Sequence, residues 1–143
     1  MAAPAKDVLE ALALPKADWE AMLRAAVECY SAGQLAQAAT ILAGLIAMDK
    51  NDARPLKLLA SCLLLQDRHR EAEQTYERAL ALDGGDLYTL VALAELKLKA
   101  LKLADAIPLF EKLFAADPAG THPAANRGRQ LVRAYHDKIS RAK

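Results

Sequence analysis

Few side chains in the 143-residue sequence could carry chemistry, and their spacing does not bring them together as a reactive set. The cysteines are Cys29 and Cys62, and the histidines are His69, His122 and His136. No C-x-x-C or H-x-x-x-H spacing occurs among them, so we expect no metal site. Disulfides are rare in cytosolic proteins, and the chain begins without the basic start and apolar core of a signal peptide. Both thiols are therefore predicted to be buried packing residues.

The signatures of common catalytic machineries are missing from the sequence. It has no G-x-x-x-x-G-K-[ST] phosphate loop, no G-x-S-x-G nucleophile turn and no H-E-x-x-H zinc motif. His69 stands beside charged residues in a turn, where a histidine is usually solvated. We expect no enzymatic activity and no cofactor.

Charge and hydropathy argue against two further classes of function. The net charge is +1, so no overall field favours nucleic acid. Residues 119–143 hold six Arg or Lys against one acid, Asp137, which is typical of a solvated terminal helix. No apolar run reaches the roughly 18 residues of a membrane span. We expect a cytoplasmic protein with no nucleic-acid partner and no membrane insertion.

The informative pattern in the sequence is that small and acidic residues recur every 34 residues. The recurring positions are Ala26, Ala60 and Ala94; Ala38, Ala72 and Ala106; and Asp49, Asp83 and Asp117. They divide the sequence into units 19–52, 53–86 and 87–120, with no insertion or deletion. Each unit has two apolar blocks at helical spacing, separated by a middle turn ("SAGQ", "QDRH", "KALK") and closed by a second turn ("DKND", "DGGD", "DPAG").

This period predicts an all-α protein made of three helix-turn-helix units that stack as one domain over 1–143. The repeated alanines allow close helix contacts, and a bulky Leu42, Tyr76 or Phe110 follows four residues after the second alanine of each unit. One unit cannot bury its apolar face alone, so neighbouring units must pack. Helix-capping aspartates are expected at Asp18, Asp52 and Asp86.

Further helices are expected at both ends. Residues 5–14 are predicted to form a short leading helix. Residues 121–141 are predicted to form a C-terminal capping helix with an apolar stripe at Leu131, Val132, Tyr135 and Ile139. Pro108 falls inside the second helix of unit three, where we expect a kink and not a break.

Residues 19–120 resemble tetratricopeptide repeats in period and layout. Gly33 stands where the family usually has glycine in the middle turn, whereas Asp67 and Leu101 replace it in the next two units. Pro118 is the proline that often closes a unit. The resemblance implies a right-handed solenoid whose concave face is lined mainly by the first helix of each unit and binds a peptide.

The chain also resembles, over about 19–118, the type III secretion chaperones that hold translocator proteins in the bacterial cytosol. The similar stretches are "AAVECYSAGQLAQAATIL", "MDKNDARPLKLLASCLL" and "ALAELKLKALKLADAI". This resemblance implies a passive chaperone that shields a secretion substrate until export. A general repeat scaffold and a needle-subunit chaperone remain alternatives. A site that grips a C-terminal carboxylate is disfavoured, because Glu95 would repel an anionic terminus.

Helical geometry selects the residues that would face a peptide in such a groove. They are Leu23, Val27 and Tyr30 in the first unit; Arg54, Lys57, Leu58, Ser61, Leu64 and Leu65 in the second; and Tyr88, Val91, Ala92, Glu95 and Leu98 in the third. We expect them to be at least partly exposed in the free protein, unless the leading or capping helix folds over them. Residues 5–14, with Val8, Leu9, Leu12 and Leu14, are a candidate homodimer surface.

Overall fold

The computed structural model describes residues 14–142, which form seven α-helices and, within that range, no strand. The helices are α1 (Lys16–Ser31), α2 (Leu35–Met48), α3 (Ala53–Leu65), α4 (His69–Leu82), α5 (Leu87–Lys99), α6 (Leu103–Ala116) and α7 (Pro123–Arg141). The predicted all-α helix-turn-helix repeat fold and the capping helix are confirmed. The predicted leading helix, and the dimer surface assigned to it, lie outside the described residues except for Leu14.

The helix boundaries keep the step of the sequence. The second helices of the three units, α2, α4 and α6, are each 14 residues long, and they begin at Leu35, His69 and Leu103, 34 residues apart. Two first helices, α3 and α5, are each 13 residues long. In the third unit the second helix, α6, runs unbroken through Pro108.

All three middle turns have the same backbone conformation. Gly33 (φ 77°), Asp67 (φ 60°) and Leu101 (φ 59°) occupy equivalent left-handed positions. In each turn the next residue donates its N–H to a carbonyl five residues back, as in Gln34 to Cys29 (2.8 Å) and in the two later turns (2.9 Å each). This is the Schellman ending of a helix, and it is kept even where the glycine that favours it is absent.

Two of the three predicted caps are confirmed. Asp52 accepts a hydrogen bond from the N–H of Arg54 at 3.0 Å, and Asp86 accepts one from the N–H of Thr89 at 3.3 Å. The prediction for Asp18 is wrong. Helix α1 begins earlier, because the carbonyl of Pro15 already accepts from the N–H groups of residues 18 and 19 at 2.9 and 3.0 Å. Asp18 therefore lies in the first turn, where its charge favours the helix N-terminus.

The chain divides into two compact units, one up to Thr75 and one from Tyr76 onward. In the first unit α2 packs against α1 and α3, and in the second unit α5, α6 and α7 pack against one another. The first core comprises Trp19, Leu23, Ala26, Ala38, Leu42, Leu45 and Cys62. The second comprises Leu90, Val91, Ala94, Ala106, Phe110, Leu113, Ala124 and Ala125.

The repeated alanines are buried as expected, and one of the two cysteines is. The six repeated alanines at the helix contacts are at most 1% exposed. Cys62 is buried as predicted, and burial raises the pKa of its thiol. Cys29 is only partly buried, so the prediction of a buried thiol is wrong for that residue. It lies near the end of α1 and packs on the edge of the first core.

Substitution by alanine at two glycines inside helices should change the free energy of unfolding in opposite directions. A Cβ at Gly128 would lie 2.6 Å from Leu113 Cδ2 and 3.2 Å from Phe114 Cε1, and Leu113 is fully buried. We expect Gly128→Ala to lower the free energy of unfolding by about 1–3 kcal/mol, because overpacking forces strain. Urea unfolding followed by circular dichroism measures this.

The matched control is Gly44→Ala in α2. Apart from its chain neighbours and the nearby backbone of its own helix, no heavy atom lies within 4 Å of a Cβ built there, so the substitution should stabilise by about 0.5–1 kcal/mol through helix propensity alone. Equal effects of the two substitutions would show that α7 does not pack closely on α6.

Candidate peptide-binding surface

In the first unit, the predicted binding residues on α1 and α3 differ in how far their side chains are exposed. Val27 is 46% exposed and Leu65 is 61% exposed. Tyr30 and Leu58 are partly buried because they also pack on the core. Leu64, Lys57 and Ser61 are partly buried as well. Residues of this kind can contact a ligand without first rearranging.

The expected exposure is wrong for two residues. Leu23 and Val91 are each 8% exposed, and they belong to the cores of the first and second units. Leu23 lies between Trp19 and Ala26 on the stripe of α1 that faces α2. Val91 lies next to Leu90 and one turn before Ala94 in the equivalent stripe of α5. Both are packing residues in this structure.

Arg54 is engaged by two carboxylates of its own chain. Its guanidinium donates to both Glu20 oxygens, at 2.7 and 3.1 Å, and to Asp52 at 2.8 Å. It also lies 5.4 Å from the centre of the Trp19 ring. Hydrogen bonds from Arg54 lower the pKa of both Glu20 and Asp52. The residue therefore joins α1 to α3, a role that differs from the predicted contact with a peptide.

In the second unit, the predicted residues on α5 are divided in the same way. Tyr88 is 58% exposed, and its ring centre lies 5.2 Å from that of His122. Ala92 and Leu98 are partly buried. Glu95 accepts hydrogen bonds or ion pairs from Arg127 at 3.0 Å and from Lys99 at 3.1 Å. Glu95 thus helps to hold the capping helix against α5.

The capping helix α7 is also held by the aspartate that closes the third unit. Asp117 accepts from the N–H groups of His122 (3.0 Å) and Thr121 (3.1 Å) and from Arg129 Nη1 (3.1 Å). Arg129 also donates to the Asp117 carbonyl oxygen, and its guanidinium lies 5.2 Å from the centre of the Phe114 ring. These bonds fix the start and the first turns of α7.

The surface formed by the C-terminal half of α7 was not predicted from the sequence. The stripe at Leu131, Tyr135 and Ile139 was predicted, but not that it forms one side of a cleft with Leu98 and Leu101. The available signal was Leu101, a large apolar residue in a turn position that usually holds glycine.

Comparisons with known proteins agree with this architecture. The tetratricopeptide repeat family model matches residues 29–93. No curated protein matches the chain. Among residues 14–142, no helix is both long and apolar enough to cross a membrane.

Several solved structures have the same fold. The Yersinia enterocolitica type III secretion chaperone SycD, in complex with a peptide of the translocator YopD, is 19% identical with a TM-score of 0.76, over 87% of this chain and 97% of that one. PcrH from Pseudomonas aeruginosa is 24% identical with a TM-score of 0.73, over 85% and 93%. A type III secretion complex from Aeromonas hydrophila is 21% identical with a TM-score of 0.77, over 96% of this chain and 89% of that one. The resemblance seen in the sequence is confirmed at the level of the fold.

The Asp117 contacts predict how stability depends on pH. Hydrogen bonds, first of all from the N–H of His122, lower the pKa of Asp117 from 3.8 to about 2. A carboxyl whose pKa is lower when folded stabilises the fold above its unfolded pKa, and this contribution is lost as pH falls. For Asp117 the loss should occur between about pH 4 and pH 2.

We expect Asp117→Asn to lower the melting temperature at pH 7 and to weaken the further decrease between pH 4 and pH 2. Asp137→Asn, at an exposed position of α7, is the control and should leave both unchanged. Thermal melts at several pH values measure the effect. An acid-induced decrease of the same size in Asp117→Asn and the wild type would refute the assignment.

Proposed function

We propose that the protein is a cytoplasmic chaperone of a bacterial type III secretion system, which binds an apolar segment of a translocator and holds it before export. One observation carries this proposal: the fold matches nearly the whole length of SycD in a structure that contains a translocator peptide. PcrH structures with the chaperone-binding regions of PopD and PopB, at TM-scores of 0.73 and 0.72, support it further.

The surfaces of the first helices are suited to such a segment. In the first unit Val27 and Leu65 are well exposed, and Tyr30, Leu58 and Leu64 are half-buried. An apolar side chain of a bound segment would bury these groups together, and this burial is the main favourable term in most protein association.

In the second unit Tyr88 is exposed, and the half-buried Ala92 and Leu98 lie on the same helix. In the first unit, Lys57 and Ser61 on α3 are the polar residues of the predicted set, and the Ser61 hydroxyl donates to the Lys57 carbonyl at 3.1 Å. Leu23 and Val91 support these surfaces from below, as parts of the two cores.

Val27→Glu provides a test of the binding surface. It places a charge that would be desolvated beside an apolar group of the bound segment. We expect affinity to fall by roughly 2 kcal/mol or more, about thirtyfold, with little change in melting temperature. Titration calorimetry should use the chaperone-binding segment of the translocator made by the same bacterium, with thermal melts alongside.

Two controls separate the outcomes. Met48→Glu puts the same charge at a similarly exposed apolar residue, 41% against 46%, at the end of a second helix; it should bind normally. Leu42→Glu, at a residue with no exposure, should unfold the protein. Normal binding by Val27→Glu, or equal loss in Met48→Glu, would overturn the surface assignment.

The alternative cargoes are resolved by copurification from the native bacterium with mass spectrometry. A translocator supports the proposal. A needle subunit or a protein unrelated to secretion would replace it with one of the other two functions that this fold allows.

A further inference from the structure

The unit that begins at Tyr76 contains a cleft between the end of α5, the turn that follows it and the last turns of α7. Its volume is about 540 Å³. The apolar lining comes from Leu98, Leu101, Leu131, Tyr135 and Ile139. Lys99 and Lys138 also line it, and no acidic side chain among the described residues does. We call this the C-terminal cleft.

Leu101 is unusual in both its backbone and its exposure. Its φ of 59° is a left-handed conformation that is unfavourable for a residue with a Cβ. Its side chain is 73% exposed, so little burial offsets that cost. Glycine, as at Gly33, would suit the turn better. A strained residue with a large exposed apolar side chain at the rim of a cleft is a reason to look for a ligand.

We propose that the C-terminal cleft is a docking surface for an acidic amphipathic helix of a partner protein. It shares only Leu98 with the surface proposed for the translocator segment, and it does not depend on that function. It would give the protein a second binding surface.

The shape of the apolar lining favours a helix. Leu131, Tyr135 and Ile139 recur every four residues along α7, so they form a line about 12 Å long at 1.5 Å per residue. A helix that presents apolar residues at i, i+4 and i+7 spans about 10.5 Å. Leu101 and Leu98 provide the opposite side, so the partner helix would lie along α7 with its apolar face inward.

The charge of the cleft selects an acidic partner. Lys99, with its side chain 67% exposed, shares Glu95 with Arg127 and remains open to solvent. Lys138 is exposed on α7, and Arg141 lies one turn further on. Residues 119–143 contain six Arg or Lys and one acidic residue. Acidic residues beside the apolar face of the partner would therefore be attracted, and basic ones repelled.

The strain at Leu101 permits a test in which stability and binding change in opposite directions. The probe is a fluorescein-labelled synthetic helix of about four turns, with leucines at i, i+4 and i+7 and glutamates elsewhere. Fluorescence anisotropy measures its affinity. We expect Leu101→Gly to melt at a higher temperature than the wild type, because the strain is relieved, and to bind the probe about tenfold or more weakly.

Two turn variants are the controls. Leu101→Ala removes the side chain but keeps the strained turn, so binding should weaken without a gain in melting temperature. Asp67→Gly relieves the equivalent turn of the second repeat at a residue that does not line the cleft, and should bind the probe normally. Normal binding by Leu101→Gly would overturn the proposal.

Charge reversal tests the choice of partner. A probe with lysines in place of the glutamates should bind the wild type at least about tenfold less tightly, and Lys138→Glu should reduce that difference. Equal binding of both probes would overturn the proposal. Sedimentation that shows self-association of the wild type but not of Leu101→Gly would also overturn it, because the occupant of the cleft would then be a second copy of the chain. Val27→Glu should bind the acidic probe normally, which separates this surface from the translocator surface.

Discussion

Close contact between helices at alanine is the constraint on which each unit of this protein depends. The alanines that recur every 34 residues have almost no exposed surface, so no larger side chain fits without moving a helix. Packed helices lie about 8–10 Å apart, depending on the residues between them, and alanine selects the short end of this range. The bulky residue one turn later, such as Leu42 or Phe110, then fills the space beside the contact. Because these contacts fix which face of each helix is buried, they also fix which face remains exposed.

The period of the sequence was sufficient to predict the helices, the turns and two of the caps, because each depends on local spacing. Asp52 and Asp86 cap the helices expected of them, and the second helices begin at equivalent positions. Asp18 does not cap its helix, because Pro15 in the preceding turn allows α1 to begin sooner. The periodic pattern could not detect this, since residues 16–18 precede the first repeat.

The binding surface was less predictable, because exposure depends on helices that are distant in sequence. Counting along α1 places Leu23 and Val27 on the same face, four residues apart, but only the packing of α2 decides that Leu23 is buried. Arg54 and Glu95 were expected to contact a peptide. In the structure Arg54 pairs with Glu20, which lies 34 residues earlier, and Glu95 pairs with Arg127, which lies 32 residues later. Spacing within one helix carries no information about such partners, although Glu20 and Arg54 occupy equivalent positions in successive repeats.

On the proposed function, the first helices would have to satisfy two opposed requirements, and the gradation of their exposure is suited to both. Fully exposed apolar side chains would favour aggregation of the free protein, whereas fully buried ones could not contact a segment. Tyr30 and Leu58 pack on the core with one side, so their conformations are largely set before binding and less entropy is lost when a segment is bound. Val27 and Leu65 project further and offer most of the area that binding would bury. On the proposed function, affinity therefore depends on a few exposed residues supported by a fixed layer, and the cores beneath can remain unchanged when the cargo leaves.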